Sequence, residues 1–575
     1  MKLVRYRVNG PQFIFTSSPN IIPMKYSKLC DYYERLEGTT KNLEMRDIVA
    51  ELFEETSSDE LEIITLAAMG RVFPASQDKD IGIAGKMMQE IIAKAFGVSE
   101  NEVVEKFKDT GDLGEVAEYF CDNKKQRSLG QTDITVKKVY DNLRELPETT
   151  GNGSKARKED VLKELLVSAE PTEARYIVRT TLQEMRIGVG EGAIRDAIAK
   201  AFDVPAEKVE KAFFKLTDYG KVSKIAKEEG EEGLDEVEIE IGRPIRVMLA
   251  ERSESLEDAM GEYERVALEV KLDGFRGQIH KDGDDVKLFS RRLEEKTDQF
   301  PDVVEWARNC LEADRCVVDC EIVAVDDDGK PLPFQNLSKR IERKYDIQKV
   351  KEDIPVQVNC FDIFYADGEN YMDKKLEDRW KKLCEIVDEN DEFNLVEHIE
   401  TNDMEEANNF YQDALRKNQE GIMVKNLDAI YQPGKRVGYW KKVKETMEPL
   451  DLVVVEGIWG EGKRSEWISS LMLAVRDPDT GEFLKTGKMA TGMTEEQLQE
   501  VTDKLQELVV REDGRRIKVK PNLVVEVGYE EIQKSPKYDT GYALRFPRLM
   551  RFRYNKSPQE ADTIERLKNL FDKQK

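Results

Sequence analysis

The stretch Glu269-Val-Lys-Leu-Asp-Gly-Phe-Arg276 gives the clearest indication of both fold and chemistry. The apolar residues around its start predict a strand over residues 266–273 that ends in an Asp-Gly turn. Because side chains alternate along a strand, Glu269, Lys271 and Asp273 are expected to share one face. A lysine amine can act as a covalent nucleophile if its charge is managed, and an arginine suits a phosphate. A salt-bridged strand end explains this motif alone equally well.

Length and composition indicate a multidomain protein with a polar surface. The chain has 575 residues, too many for one ordinary core, of which 39% are hydrophobic and 36% charged. No apolar run is long enough to cross a membrane, and residues 1–23 lack the pattern of a signal peptide. Seven scattered cysteines without a Cys-x-x-Cys pair suit a reducing cytoplasm, where we expect the protein to act. With His280 and His398 as its two histidines, the chain offers little for histidine-rich metal sites or Ser-His-Asp catalysis.

The net charge argues against a nucleic-acid partner when it is taken alone. The formal charge is −26 at pH 7, with a pI near 4.9. This argument carries little weight, because 90 basic residues remain and can cluster on one face. A salty cytoplasm would explain the surplus of acidic residues, and this hypothesis predicts that activity rises with potassium salt.

Residues 25–226 have helical periodicity and contain an internal repeat. Residues 81–116 align with residues 187–222 at a constant offset of 106, with 13 identities in 36 positions. Each copy opens with an Ile-Gly turn that leads into a helix, whose free N–H groups can bind an anion. Two phosphate-binding helix ends related by a pseudo-twofold axis would suit a duplex. Duplication for packing alone is an equally good interpretation.

Changes in composition divide the rest of the chain. A Gly- and Glu-rich stretch predicts a linker, an α+β pattern follows, and the final part is dominated by strands that suit a small β-barrel. Residues 1–23 stand apart as an extension. The predicted divisions are an extension (1–23), an all-α domain (24–232), a linker (233–243), an α+β domain (244–446) and a β-barrel domain with a C-terminal helix (447–575).

A series of charged and aromatic residues follows Lys271 in the α+β part. Carboxylates within an apolar strand need partners or a metal, and an aromatic side chain can stack on a base. Together the residues fit covalent nucleotidyl transfer, in which the lysine attacks a nucleotide α-phosphorus and Mg²⁺ neutralises the developing charge. The series comprises Arg276, Arg291, Asp319, Glu321, Phe361, Glu420, Arg436, Trp440, Lys442 and Lys444.

The order of these motifs resembles that of ATP-dependent DNA ligases of the archaeal type, which are related to eukaryotic replicative ligases. The resemblance extends from about Met24 to the end of the chain, through a helical DNA-binding domain, an adenylation domain and an OB-fold domain. The motifs are Lys271-Leu-Asp-Gly-Phe-Arg, Ser290-Arg, Asp319-Cys-Glu, Phe361-Asp-Ile-Phe-Tyr, Glu420-Gly-Ile-Met-Val-Lys, Trp440-Lys-Lys-Val-Lys and Tyr542-Ala-Leu-Arg-Phe-Pro-Arg.

The resemblance implies an enzyme that seals nicks in double-stranded DNA during replication, repair and recombination. Lys271 would take AMP from ATP and pass it to the 5′-phosphate, and the 3′-hydroxyl would then release it. A sliding clamp is an implied partner, and the enzyme is expected to act as a monomer. The implied roles are adenine contact (Glu269, Phe361), ribose and phosphate contact (Arg276, Arg291), ribose contact and Mg²⁺ binding (Glu321, Glu420) and phosphate contact (Arg436, Lys442, Lys444).

Four other interpretations remain open at this point. An RNA ligase or an mRNA-capping guanylyltransferase shares the Lys-x-Asp-Gly core, but neither needs the duplicated helical part. An NAD-dependent DNA ligase is disfavoured because zinc-finger cysteines are missing from the sequence. A non-catalytic nick-binding scaffold would require Lys271 to be inert. The C-terminal stretch Arg553-Tyr-Asn-Lys556 departs from the family's R-x-D-K pattern at Asn555, which leaves its local charge in question.

Overall fold

The structure, a computed structural model, describes residues 23–74, 77, 79–123, 134–151, 153–326, 328–332, 334–341, 343, 347–417, 419–444, 447–460 and 464–574. Of the predicted extension, residues 1–22 lie outside these ranges. The chain divides into two compact units. Within the described residues, the first unit runs to Ala407 and includes Met423–Lys442, and the second comprises Asn408–Ile422 and the residues from Val443 onward. Over these ranges, no helix combines the length and apolar character that a membrane crossing requires.

The first part of the first unit is helical, as the periodicity predicts. Its apolar residues enclose a hydrophobic core of their own, which includes Tyr33, Phe53, Ile92 and Ile198. The helices are α1 (Tyr26–Glu37), α2 (Asn42–Glu55), α3 (Ser58–Ala68), α4 (Gly85–Phe96), α5 (Glu100–Thr110), α6 (Leu113–Asp122), α7 (Val136–Glu145), α8 (Ser154–Ser168), α9 (Pro171–Leu182), α10 (Glu191–Ala201), α11 (Ala206–Leu216) and α12 (Tyr219–Asp235).

The internal repeat is also a structural repeat. We call α4–α6 the first copy and α10–α12 the second copy; each helix start in one copy lies 106 residues from its equivalent in the other. The predicted Ile-Gly turns are present, with left-handed φ angles of 72° at Gly82 and 67° at Gly188. Asp112 and Asp218 cap equivalent helices by accepting hydrogen bonds from the backbone N–H groups two and three residues ahead. The same local signals therefore produce the same local structure twice.

Each copy packs against helices that precede the other copy. Helix α6 of the first copy lies on α9, and α12 of the second copy lies on α3. A Cβ atom at Gly114 would lie 2.8 Å from the carbonyl oxygen of Arg175, and one at Gly220 would lie 2.9 Å from that of Glu62. The equivalent lysines Lys94 and Lys200 likewise reach across, to Glu159 of α8 and Asp47 of α2. The two halves are thus interleaved through equivalent contacts.

The α+β part that follows has its own hydrophobic clusters around two sheets. One sheet has the order β4-β3-β5-β6-β7 with β8 paired to β6, and the other has the order β1-β11-β10-β2-β9. The strands are β1 (Glu251–Arg252), β2 (Val266–Lys271), β3 (Phe275–Asp282), β4 (Asp285–Ser290), β5 (Arg315–Ala324), β6 (Val356–Ala366), β7 (Glu369–Asn370), β8 (Phe393–Leu395), β9 (His398–Glu400), β10 (Gly421–Asn426) and β11 (Trp440–Lys444). The helices are α13 (Leu256–Met260), α14 (Pro301–Cys310), α15 (Phe334–Ile341), α16 (Ile347–Asp353), α17 (Leu376–Ile386) and α18 (Met404–Arg416).

The second unit is rich in strands, but its described pairings do not close into the barrel that the sequence predicts. Its main sheet has the order β14-β13-β12-β16-β15, with β17 joining β12 to β20, and β18 pairs with β19 separately. The strands are β12 (Leu450–Trp459), β13 (Ile468–Arg476), β14 (Phe483–Met489), β15 (Val509–Asp513), β16 (Arg516–Val519), β17 (Val524–Gly528), β18 (Glu531–Lys534), β19 (Tyr542–Arg545) and β20 (Arg548–Phe552). The helices are α19 (Glu495–Gln506) and α20 (Ile564–Lys573), and α20 is the predicted C-terminal helix.

The predicted linker differs from the structure at its start. Helix α12 continues to Asp235, past the predicted linker start at residue 233, although Gly230 interrupts it with φ 67° and ψ −146°. A glycine adopts this conformation without a Cβ penalty, so the chain turns and then resumes its helix. Further along, His280 holds the end of the predicted linker. Its Nδ1 atom accepts the Gly242 N–H at 3.1 Å, and burial lowers its pKa to about 3, so the ring is neutral.

Candidate active site

Lys271 is the last residue of β2 and is half-buried. The strand therefore ends two residues earlier than predicted, and Asp273 belongs to the turn that follows. A Cβ atom at Gly274 would lie 2.5 Å from the Ile322 carbonyl oxygen on β5, so a glycine is needed where the turn meets that strand. Asp273 accepts the Phe334 N–H at 3.4 Å, at the start of α15. The turn after the lysine is thus fixed by two neighbouring elements.

Glu269 is a buried carboxylate with two cationic or polar neighbours. Its side chain forms a salt bridge with Lys425, whose side chain is 1% exposed, and Oε1 lies 3.3 Å from Nδ1 of His398. Burial alone would raise the pKa of Glu269, but the charge of Lys425 outweighs it and holds the pKa below its usual range. Glu269 is therefore an ionised acceptor at neutral pH.

Arg276 forms a buried salt bridge with Asp319, which is fully buried in β5. The Nη2–Oδ2 distance is 2.6 Å, and Arg276 also donates to the Met248 carbonyl oxygen at 3.1 Å. Burial would lower the pKa of Arg276, but the Asp319 carboxylate raises it above its ordinary value. The sequence places Asp319 and Glu321 on one face of the strand, and the structure gives Asp319 the partner that a buried carboxylate requires.

Arg291 lies within electrostatic reach of the charged residues Arg276, Arg436 and Glu321. Desolvation lowers the pKa of Arg291, the charges of Arg276 and Arg436 lower it further, and Glu321 opposes them. Arg291 and Arg436 are exposed, whereas Arg276 and Glu321 are half-buried. A cluster in which like charges disfavour one another is suited to an anionic ligand.

Two aromatic rings and a buried ammonium group form the next layer. The centroids of Phe361 and Trp440 are 6.1 Å apart in an edge-to-face arrangement. Lys425 Nζ lies 4.7 Å from the Phe361 centroid and 4.4 Å from that of Trp440. Phe361 is half-buried, so part of its ring is available for a ligand.

Glu420 and Lys444 belong to the second unit, where they form a salt bridge with each other. Lys444 also contacts Glu530 at 3.1 Å. Lys442 is half-buried on β11, where it lies opposite Arg252 of β1 in the first unit. The predicted strand is therefore present as β11. It carries Trp440, Lys442 and Lys444, and Trp440 at its start is buried.

The C-terminal basic residues are held by carboxylates within the second unit. Lys556 contacts Asp451 at 2.5 Å, and Arg553 contacts Glu526 at 2.5 Å and Asp451 at 3.6 Å. Asn555, where the sequence departs from the expected pattern, is exposed. Asp451 and Glu526 are therefore the acidic partners of these two basic residues.

The helix ends predicted to bind phosphate differ between the two copies. Neither Ala84 nor Gly190, the residues that cap α4 and α10, provides a side-chain cap. The first residue of α10, Glu191, contacts Arg246 of the α+β part at 2.6 Å. The two phosphate sites stay a prediction, and the second copy has an ion pair at the position concerned.

Sequence reasoning missed three residues of interest. Lys425 lies within a motif that was singled out, but its burial against Glu269 depends on strand order. His398 is opposite Glu269 only because β2 pairs with β9. Phe546 is 64% exposed with a left-handed φ of 48°, between two arginines; the Arg-Phe-Pro-Arg stretch was the available signal.

Comparison with known proteins gives consistent matches along the chain. Family models described as DNA ligase N terminus, ATP dependent DNA ligase domain and ATP dependent DNA ligase C terminal region match residues 25–199, 247–444 and 464–556. A DNA ligase of Thermococcus fumicolans is 45% identical over 550 residues, which cover 95% of this chain and 98% of the relative. A DNA ligase of Nanoarchaeum equitans is 45% identical over 562 residues, covering 96% of this chain and 99% of the relative.

A solved structure described as Pmar-Lig_Pre has a similar fold. It is 17% identical, with a TM-score of 0.55, and the match covers 91% of this chain and 99% of that one. At this identity the likeness concerns the fold alone.

Proposed function

We propose residue roles for this chain, which belongs to the ATP-dependent DNA ligases and therefore seals nicks in double-stranded DNA. Membership of this family excludes the capping enzyme, the RNA ligase, the NAD-dependent ligase and the inert scaffold. A lysyl-AMP intermediate is general for the family. The observation that carries the residue assignment is the position of Lys271 at the end of β2, two residues after Glu269 and in the same unit as the arginine cluster.

We propose that Lys271 is the nucleophile. Its Nζ lone pair forms a bond to the α-phosphorus of ATP, the bond to the bridging oxygen breaks, and pyrophosphate leaves with the electron pair. The attacking amine must be deprotonated, and a free lysine titrates near about 10.4, so neighbouring cations must favour the neutral form. The rigid Asp273-Gly274 turn supports this role because it fixes the backbone from which the amine extends.

Glu269 and Phe361 are proposed to bind the adenine. An ionised, buried carboxylate can accept a hydrogen bond from the exocyclic amine of adenine but repels the carbonyl oxygen of guanine. The accessible part of the Phe361 ring suits stacking on the base. The low pKa of Glu269 supports the role, since the carboxylate stays an acceptor at neutral pH.

The cationic residues are proposed to bind ribose and phosphates. Arg291 and Arg436 are exposed, and the charges of Arg276 and Arg436 lower the pKa of Arg291, which supports phosphate contact. Arg276 is held by Asp319, so it acts from a fixed position toward ribose or phosphate. Lys442 and Lys444 are proposed to contact phosphates, and Lys444 must then exchange its bonds to Glu420 and Glu530.

Mg²⁺ is the proposed divalent cation. Carboxylates suit this ion, because Mg²⁺ is commonly held by one or two of them together with substrate phosphates. Glu321 and Glu420 would hold it, and Glu321 would also contact the ribose. When bound, the ion would neutralise charge that develops on the phosphates.

The later steps use the DNA. The 5′-phosphate at the nick takes the AMP from Lys271, and the 3′-hydroxyl then attacks that phosphate and releases AMP. We propose that residues 24–232 form the DNA-binding domain, residues 244–446 the adenylation domain, and residues 447–575 an OB-fold. Exposed Phe546, between two arginines, suits contact with a base or sugar at the nick. The monomeric state and a sliding clamp as partner stay predictions.

The proposal is tested by separating the first step from the last. Full-length protein is incubated with α-labelled ATP and Mg²⁺, and the labelled residue is mapped by mass. Lys271→Ala is expected to take no label and to fail on nicked DNA with ATP. It should still join a nick that already carries AMP on its 5′-phosphate, since that step does not need the lysine as nucleophile.

Lys374→Ala provides a matched control, because Lys374 is an exposed lysine of the same unit. It should be labelled and should seal nicks as the unchanged protein does. Labelling of the Lys271→Ala protein at another residue would overturn the assignment.

A further inference from the structure

We infer that His398 is a positioning residue that orients Glu269 and so strengthens the preference for an adenine base. The inference rests on the proposed function, since it concerns the carboxylate assigned to the adenine. His398 itself is not proposed to touch the nucleotide. It acts through one hydrogen bond to Glu269.

The geometry places the two residues directly opposite each other. Strands β2 and β9 are antiparallel, with Glu269 paired in register with His398. The Nδ1–Oε1 distance is 3.3 Å, and the side chains are 7% and 3% exposed for His398 and Glu269. The register of the two strands therefore determines this contact, and not the conformation of one flexible side chain.

The hydrogen bond has one possible direction. The Glu269 pKa is held below its usual range, so the carboxylate is ionised and can only accept. Nδ1 of His398 must then carry the proton and donate it. The other ring nitrogen, Nε2, is buried without a hydrogen-bond partner among the described residues, and Glu400 lies 3.8 Å away. The bond to Glu269 is thus the polar contact that this ring makes within the described structure.

Trp380 holds the imidazole plane in place. The two rings stack with centroids 3.9 Å apart and an interplanar angle of 9°. A stacked ring cannot swing away from Glu269 without losing this contact. The side chain therefore delivers its N–H from a fixed direction.

Glu269 is constrained from two sides as a result. Lys425 binds one carboxylate oxygen and His398 the other. Each oxygen can accept more than one hydrogen bond, so a fixed carboxylate still offers acceptor positions to a base amine. Without His398, Lys425 alone would hold the carboxylate, which could rotate away from the amine and lose part of its discrimination.

The test uses three full-length variants and measures the first step in single turnovers with ATP and with GTP. His398→Phe keeps an aromatic ring against Trp380 but removes the donor. His398→Gln restores a donor without a ring. Glu400→Gln changes the acid near the other ring nitrogen and is the matched control, since Glu400 is partly exposed and has no proposed role.

For His398→Phe we expect KM for ATP to rise about tenfold, as for loss of a hydrogen bond to a charged group, with little change in the rate constant at saturating ATP. The preference for ATP over GTP should fall by a similar factor. His398→Gln should recover most of both, and Glu400→Gln should match the unchanged protein.

Three results would overturn the inference in proteins whose thermal melting confirms folding. The first is an unchanged KM and base preference in His398→Phe. The second is an equal loss with ATP and GTP, and the third is no recovery in His398→Gln. Glu269→Gln tests the premise separately. If this variant keeps the full preference for ATP over GTP, the adenine role of Glu269 is wrong. If Glu269→Gln loses the preference but His398→Phe keeps it, only the role of His398 is wrong.

Discussion

The two copies of the helical repeat share their interior and differ at their surfaces. Both begin with a left-handed glycine, both cap a helix with an aspartate, and both press a glycine onto the backbone of a partner helix. On the outside, Lys158 binds the Ile81 carbonyl oxygen in the first copy. In the second copy, Glu191 binds Arg246 and Glu210 binds Lys435, both of which lie in the α+β part.

The features shared by both copies are those that the fold requires, whereas the features that differ lie on the surfaces. Caps and close helix contacts appear in both copies because the helices cannot pack without them. Among the described residues, Glu191 and Glu210 of the second copy form ion pairs with the α+β part. We expect mutations inside the copies to act on stability and mutations outside to act on coupling or DNA binding.

The largest effect is expected at Asp112, the capping aspartate of the first copy, and a smaller one at its equivalent Asp218. Asp112 is 3% exposed and contacts Arg179, itself 5% exposed, at 2.7 Å. Asp112→Ala should cost about 2–4 kcal/mol of unfolding free energy, because it removes a cap and the most buried acidic partner of Arg179, which keeps the more exposed Glu37 and Glu115. Asp218 contacts the more exposed Arg243 at 3.2 Å, so Asp218→Ala should cost only about 1–2 kcal/mol. Urea unfolding measures the loss of unfolding free energy in both variants. Equal losses would contradict the expected difference between the two copies.

Acid should reduce the contribution of Asp112. Burial raises the pKa of Asp112, but Arg179 and the backbone N–H groups outweigh it, so the folded pKa lies below the usual value. The stability from its charge is then present above the unfolded pKa of about 3.9 and is lost as pH falls through the folded pKa. The difference between the unchanged protein and Asp112→Asn, which keeps a capping oxygen, should be full at pH 7 and shrink below about pH 4. A difference in unfolding free energy that grows as the pH falls would contradict this expectation.

Gly114→Ala and Gly220→Ala should have similar intermediate effects. In each, the new methyl group would meet a carbonyl oxygen of the partner helix at 2.8 Å or 2.9 Å. We expect a loss of about 1–3 kcal/mol for each, as for overpacking in a core, and nearly equal values from thermal or urea unfolding. The exposed Gly192→Ala, with open space around its Cβ position, is the control and should be neutral or slightly stabilising.

A smaller effect is expected at the start of α4. Lys86 has Gly192 as its equivalent in the second copy, so Lys86→Gly gives the first copy the residue of the second. If the first copy contacts a phosphate here, affinity for nicked duplex should fall about two- to threefold and the salt dependence should weaken slightly. Fluorescence titrations at several salt concentrations measure this. An unchanged salt dependence would place the DNA contact elsewhere.

The smallest effect is expected at the contact between Glu210 and Lys435, which are 2.9 Å apart and partly exposed. Glu210→Lys and Lys435→Glu should each slow the first step slightly, and the double variant should recover it, with a coupling of about 0.5–1 kcal/mol. Single-turnover adenylation rates test this, and additive losses would show that the pair is not coupled.

Local signals were enough to predict the repeat, and non-local pairing was not. The 106-residue offset found in the sequence recurs in the starts of α10, α11 and α12, because caps and glycine turns are set by neighbouring residues. The strand that carries Lys271 was predicted for the same reason, although it ends at Lys271 rather than at residue 273.

Contacts across strands could not be derived in this way. His398 lies 129 residues from Glu269, and Asp319 lies 43 residues from Arg276, so both contacts depend on strand order and register. The helix up to Asp235 was not predicted, because its glycine and glutamate residues favour a linker. In the structure, Gly230 alone makes the turn within this helix.

The crossed packing of α6 on α9 and of α12 on α3 has a consequence for how the helical part arose and how it breaks. It is the arrangement of a domain-swapped dimer whose two subunits have become joined end to end. A deletion of α2 and α3 would therefore remove packing contacts from the second copy, more than a hundred residues downstream, rather than from the first copy, which follows the deletion directly.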